Sequence, residues 1–345
     1  MTTARSYLQP LVRESWLDLV RDDVIDPSLP IIDAHHHLWN DRVFRGRNWA
    51  QYLERELSAD VSSGHNIVAT IFMQCGWQHR TEGPEDFRPV GETETVAAFT
   101  SRFESGKTQA CKGIIGFADL RGPHLDDVLW AHREAGGGRF RGIRHSAAWD
   151  DAIEPQTSVI PPPDLLHDPR FQKGVRRLGQ SGLTYDAWQY HPQLKDLAKV
   201  ASRAPETRIV VDHTGAPLGF GPYRGRRDEV AREWTAGMEE LASHPNVFVK
   251  LGGLGMSVNG FDYHNDDLPP HSDQLATDWK PWIVSSIEMF GADRCMFESN
   301  FPYDKGMYSY VSVWNAFKKI VADASPSEKA LLFHDTAEKC YSLRQ

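Results

Sequence analysis

The sequence predicts an α/β fold, a (β/α)8 barrel of the TIM type with possible distortion, and three observations predict it. Eight short apolar runs recur along the chain, stretches of helical spacing separate most of them, and 345 residues are ample for one barrel. Strands of a parallel sheet are covered on both faces, so they read as continuous apolar runs rather than as clean alternation.

In chain order the runs are Ile31–Trp39, Ile67–Cys75, Cys111–Leu120, Phe140–Trp149, Gly182–Tyr190, Arg208–Gly215, Val247–Gly255 and Cys295–Pro302. The first follows an N-terminal extension, residues 1–30, whose scattered charges give no hydrophobic signal core. The second and seventh lead into long polar loops, Cys75–Glu92 and Gly255–Asp278, rich in aromatics and histidines. Long loops at the C-terminal ends of barrel strands form the active-site mouth in this architecture. The fourth leads into Pro155–Pro163, which reads as a loop because strand–helix alternation resumes beyond it. Leu194, Leu197 and Ala198 predict a helix before the sixth run, and Trp234, Met238, Leu241 and Ala242 one before the seventh. Trp282, Ile283, Ile287 and Phe290 predict a helix before the eighth run; Val311, Trp314, Phe317 and Ile320 predict one after it. Alternating strands and helices imply parallel βαβ units, and no Gly-x-Gly-x-x-Gly turn follows the first strand to favour a doubly wound sheet. The expectation is one barrel domain over 1–345.

Composition narrows the function. A net charge of −9 argues against a nucleic-acid partner, which needs a basic face. No apolar run approaches the ~20 residues that cross a bilayer, so no membrane partner is expected. Cys75, Cys111, Cys295 and Cys340 are far apart and form no C-x-x-C pair, which fits buried thiols in a reducing cytoplasm. A small-molecule substrate is the expected partner; oligomeric state is not legible.

The chemistry concentrates in Asp33-Ala34-His35-His36-His37-Leu38-Trp39. Alternation along a strand sends Asp33, His35 and His37 to one face and His36 to the other. Two imidazoles at a strand end supply metal ligands, or donors that polarise a carbonyl. On the fifth run Gln189 and His191 share a face, and either could bond a substrate oxygen or serve packing and capping. Trp77, Trp149, Phe301 and Tyr303 are expected at the mouth, favouring a flat substrate.

With these residues in view, the chain resembles the amidohydrolase-related family that includes 2-pyrone-4,6-dicarboxylate lactonase, muconolactone-type hydrolases and L-fuconolactonase. Besides the histidine motif, the resemblance covers Gly113-Ile-Ile-Gly-Phe-Ala-Asp-Leu120, Arg141-Gly-Ile-Arg-His145, Val211-Asp-His-Thr-Gly-Ala-Pro217, Val249-Lys-Leu-Gly-Gly253 and Phe297-Glu-Ser-Asn-Phe-Pro302. It implies a distorted barrel and hydrolysis of a lactone or similar ester of a small anionic molecule, often without a tightly bound metal. The runner-up activities are a decarboxylase or hydratase of the same superfamily, and, outside catalysis, a barrel that only binds a small ligand. His213 falls at the family's strand-six histidine; by parity it shares a face with Val211, while Asp212 points away. Arg144 falls where a guanidinium would grip a substrate carboxylate, or else pair with an internal acid. No lysine stands on strand four, which argues against a carbamylated bridge between two metals.

Strand eight departs from the family. Related lactonases end it with Ser-Asp-Trp-Pro or Ser-Asp-Phe-Pro, where the Asp moves the proton; this chain has Glu298-Ser299-Asn300-Phe301-Pro302. Asn300 does not titrate. Glu298, two residues earlier on the same face, could carry the missing carboxylate; His213 or His35 could be the base; or hydrolysis has given way to other chemistry. No cofactor is required on this reading, or one divalent metal, zinc first, held by His35 and His37 with Glu298 or His213 completing the set.

Overall fold

The structure is a computed structural model and describes residues 9–40, 42–44, 47–100, 103, 106–154 and 157–344. Eight parallel strands follow one another around a barrel: β1 (Pro30–His36), β2 (Asn66–Met73), β3 (Gln109–Gly116), β4 (Phe140–Arg144), β5 (Thr184–Ala187), β6 (Ile209–Val211), β7 (Val247–Leu251) and β8 (Cys295–Phe297). Each pairs with the next, as right-handed βαβ crossovers require. The seam between β8 and β1 closes just past the end of β8. There His37 N donates to Phe301 O at 2.7 Å and Asn300 N donates to His35 O at 2.9 Å. The residues singled out for chemistry therefore also close the barrel.

Period-2 alternation sorts the core into two layers. Ile32, Ala34, Ala69, Ile71, Met73, Ile115, Val210, Phe248 and Met296 fill the barrel interior, and the C-terminal Ala337, Cys340 and Tyr341 pack against them. Ile31, Phe72, Ile114, Ile143, Tyr185, Val211, Val249 and Phe297 point outward beneath the helices. The expected helices are present as Leu194–Arg203, Arg227–Ala242, Ser272–Phe290 and Tyr310–Ile320. Among the described residues no helix is long and apolar enough to cross a membrane.

Several strands stop earlier than their apolar runs. The fourth run reads to Trp149 but the ladder ends at Arg144; the sixth reads to Gly215 but ends at Val211; the eighth reads to Pro302 but ends at Phe297. At the last two, His213, Thr214, Ala216 and Asn300 take φ of 57°, 54°, 48° and 56°, which breaks the ladder while the chain stays buried. Burial keeps the composition apolar, so the pattern reads past the true end. Non-glycine residues held in this region mark strain that surrounding structure must impose, and here they cluster at one end of the barrel.

Candidate active site

Strict alternation would have kept His35 off the interior face. Asp33 pairs with Thr70 and His36 with Phe72, so three steps along β1 oppose two along β2. That bulge resets the parity: Ala34 and His35 both turn inward, and His36 turns outward to Thr70 Oγ1 at 2.8 Å. Bulges of this kind re-aim a side chain beside an active site. The expectation that Asp33 shares a face with His35 is thereby corrected. Asp33 faces away and accepts from Ser299 N at 2.9 Å, Ser299 Oγ at 2.6 Å and Tyr310 OH at 2.9 Å, tying β1 to strand eight. Parity also fails on β6. Val211 faces outward and Asp212 inward, and the positive φ of His213 swings its ring inward as well.

Glu298 is the hub. Its Oε1 accepts from the backbone N–H of His213 at 3.1 Å and lies 2.8 Å from His213 Nδ1. Its Oε2 lies 2.8 Å from His35 Nδ1 but has no well-formed hydrogen bond. Burial pushes the Glu298 carboxyl up to about 8, against the pull of Lys250, so it holds its proton at neutral pH. Burial pushes His213 down to about 3, and His35 and His37 well below the usual imidazole range, so all three rings are neutral. His37 Nδ1 lies 2.8 Å from Met73 O and must carry the proton there, which leaves Nε2 as an acceptor 3.3 Å from His35 Nε2.

Beneath His35 lies a residue that the sequence reading passed over. Lys250, on β7, is fully buried and bonds Asp186 Oδ1 at 2.8 Å and Asp212 Oδ1 at 3.0 Å, with His35 Nδ1 at 3.4 Å. Burial draws its ammonium down, but Asp186 and Asp212 outweigh burial and hold it above the ordinary lysine value. Arg144 joins from β4. Its Nη1 is 3.4 Å from His35 Nε2 and 3.9 Å from Asp212 Oδ2, and its Nη2 donates to Gln74 O. A lysine between buried valine and leucine, with aspartates ending two neighbouring strands, was the available signal.

Above this floor opens a cavity lined by His37, Arg144, His213, Asn300 and Tyr303 among others. His35 and Glu298 lie under it rather than in its wall. Asn300 donates through Nδ2 to Asp304 Oδ1 at 3.1 Å and keeps Oδ1 without a partner. Gln189 is fully buried outside the cavity wall, its amide unbonded among the described residues. His191 turns away: Nδ1 accepts from Leu218 N at 3.2 Å and the ring packs on Tyr223. It braces a loop and does not reach the cavity, because the chain after Ala187 has left the ladder.

Of the aromatics expected at the mouth, only Tyr303 is there. Trp77 donates to Asn40 Oδ1, Trp149 to Asp151, and Phe301 packs on Tyr308 and Tyr310. Trp39, Trp49, Phe117 and Trp188 form the wall instead. The two long loops contribute only Cys75 and Met256 to it, and Thr157–Val159 close one side.

His35, His213 and Glu298 bring one ligand atom each within 4.8 Å of one another. Two imidazoles and a carboxylate with an unsatisfied Oε2 fit a single divalent cation. His213 and Glu298, rather than His37, which is turned to Met73, would complete such a set with His35.

The amidohydrolase family model matches residues 32–343, and the chain belongs to that family of hydrolytic enzymes. It is 30% identical over 332 residues to an uncharacterised protein of Sinorhizobium fredii, covering 91% of this chain and 99% of that one. It is 26% identical over 317 residues to the L-fucono-1,5-lactonase of Burkholderia ambifaria, covering 90% and 95%. In fold it is similar to a crystal structure of an amidohydrolase from Burkholderia multivorans with bound zinc, with a TM-score of 0.70, 23% identity and coverage of 90% and 99%.

Proposed function

We propose that this member of the amidohydrolase family is a lactonase, hydrolysing the carboxylic ester bond of a small anionic molecule. The observation that carries the reading is the Glu298–His213 pair at 2.8 Å, set under a cavity that Arg144 also lines. With Nδ1 turned to Glu298, His213 leaves Nε2 toward the cavity, the arrangement of a general base oriented by an acid. Water bonded to Asn300 Oδ1 gives its proton to His213 Nε2 as its oxygen attacks the ester carbonyl. The negative charge that develops on the carbonyl oxygen meets the Arg144 guanidinium, already fixed by Gln74. Collapse breaks the ring C–O bond, and the His213 imidazolium returns the proton to the leaving alkoxide. His35 and His37 have their protons committed to each other and to Met73, so their part is to hold His213, Arg144 and Glu298 in place. A divalent ion, zinc on this reading, held by His35, His213 and Glu298 would supply Lewis-acid activation of the carbonyl and of water, and would then take the place of His213 as the base.

The test is a lactone panel followed by acid release. Turnover should fall by about a hundredfold or more in His213→Asn, the scale of losing one base or preorganised group. Release of carbon dioxide without ring opening, or full turnover in His213→Asn, would overturn the assignment.

A further inference from the structure

We infer that the cavity takes a flat, largely apolar lactone bearing at most one anionic group, and not the polyhydroxylated sugar lactones on which one of its relatives is named as acting. This rests on the hydrolase reading above and adds the substrate class.

The walls are aromatic and continuous. Trp49 lies edge-on to Trp39 at 5.7 Å and stacks on Tyr303 at 5.6 Å with 8° between the planes. Trp39 in turn stacks on His37 at 6.0 Å. Across the barrel, Trp188 packs edge-on to His213 at 4.8 Å, near Phe117. Rings held this way present flat apolar faces that favour a flat guest.

Several polar groups of the wall are already occupied, with Asn300 Oδ1 and Arg144 Nε left without partners. No carboxylate lines the cavity among the described residues. Gln74 Nε2 donates to Arg144 O, and Asn300 Nδ2 to Asp304. Ser146 Oγ donates to Trp188 O, and Thr157 Oγ1 donates to Val159 O. A sugar lactone brings several hydroxyls into this space, and each buried without a partner costs about tenfold in affinity. Aromatic cavities also take cations, but the Arg144 guanidinium at the floor opposes one and favours a single anionic or carbonyl oxygen.

The experiment compares kcat/KM for dihydrocoumarin, L-fucono-1,5-lactone and δ-valerolactone. Dihydrocoumarin should exceed the sugar lactone by about a hundredfold or more, as two or more unpaired hydroxyls imply. Trp49→Ala should erase about tenfold of that preference through KM, with δ-valerolactone changed less than about threefold. Trp49→Leu, which keeps the volume better, should show the same direction. A sugar lactone turned over as well as dihydrocoumarin overturns the substrate class and leaves the lactonase standing. If none of these three neutral lactones is hydrolysed, quenching of tryptophan fluorescence by the same compounds decides the cavity. Dihydrocoumarin binding about tenfold tighter than L-fucono-1,5-lactone sustains the inference; equal or reversed affinities overturn it.

Discussion

Glu298→Gln should give a protein that is more stable than the wild type at and above neutral pH. Glu298 is completely buried, and burial raises its carboxyl from 4.5 to about 8. The unfolded chain ionises this group near 4.5, whereas the folded chain keeps the proton until about pH 8. Between those values the folded state binds more protons, so stability falls as pH rises, by about 1.4 kcal/mol per pH unit. The loss reaches about 3 kcal/mol at pH 7 and levels off near 5 kcal/mol above pH 8. Glutamine does not titrate and escapes this loss. It keeps Oε1 for the His213 backbone N–H and ring, and sets an amide nitrogen where Oε2 stands, 2.8 Å from His35 Nδ1. Urea denaturation of chelator-dialysed protein at pH 5, 7 and 9 measures the effect. The variant's advantage should be under about 1 kcal/mol at pH 5 and grow toward 3 and 5 kcal/mol at the two higher values. A stability difference that does not grow with pH refutes the buried-acid argument.

Three further expectations can be checked separately. Glu92 is buried with its carboxyl raised from 4.5 to about 6, holding Cys75 N and Trp77 N through Oε1 at 2.9 Å each. Its stability contribution is likewise lost as pH rises through 6, so Glu92→Gln should gain up to about 2 kcal/mol in denaturation at pH 8 and almost nothing at pH 4. Arg144→Lys should lower kcat/KM for a carboxylate-bearing lactone by about tenfold or more, and for a neutral one by less, because the two-pronged donor is lost; equal losses in a folded variant would remove Arg144 from recognition. Asn300→Asp sets a second carboxyl 3.1 Å from Asp304, itself raised well above the ordinary value by burial. The midpoint of thermal unfolding at pH 8 should drop by several degrees, and an unchanged midpoint would show that the pair shares a proton without strain.

The barrel was legible because its strands are apolar on both faces and its helices are spaced by Leu, Trp and Ile. The site was legible in its residue types and misread in its orientations. His35 reaches the interior only through the bulge between Asp33 and His36, and His213 only through a left-handed φ. Neither feature leaves a mark in a period-2 pattern. Lys250 lies in a stretch that carries the resemblance but was given no role, because its partners Asp186 and Asp212 come from other strands. Wall residues such as Trp49 and Trp188 lie on segments beyond strand ends, where the path of the chain depends on tertiary packing.

The charge arithmetic of the floor accounts for the asparagine on strand eight. Lys250 and Arg144 bring two positive charges under the cavity, and Asp186 and Asp212 bring two negative ones within 4.0 Å of them. The floor is thus balanced before Glu298 is counted, and Glu298 can remain a neutral acid between His35 and His213. A carboxylate at position 300 would add a third negative charge with no cation left to meet it, beside Asp304. An uncompensated buried charge is among the most destabilising changes a fold can take. Asn300 keeps an unpartnered acceptor oxygen without that charge, and on the proposed reading proton transfer falls to His213. The departure on strand eight and the buried lysine on β7 are then two parts of one electrostatic arrangement.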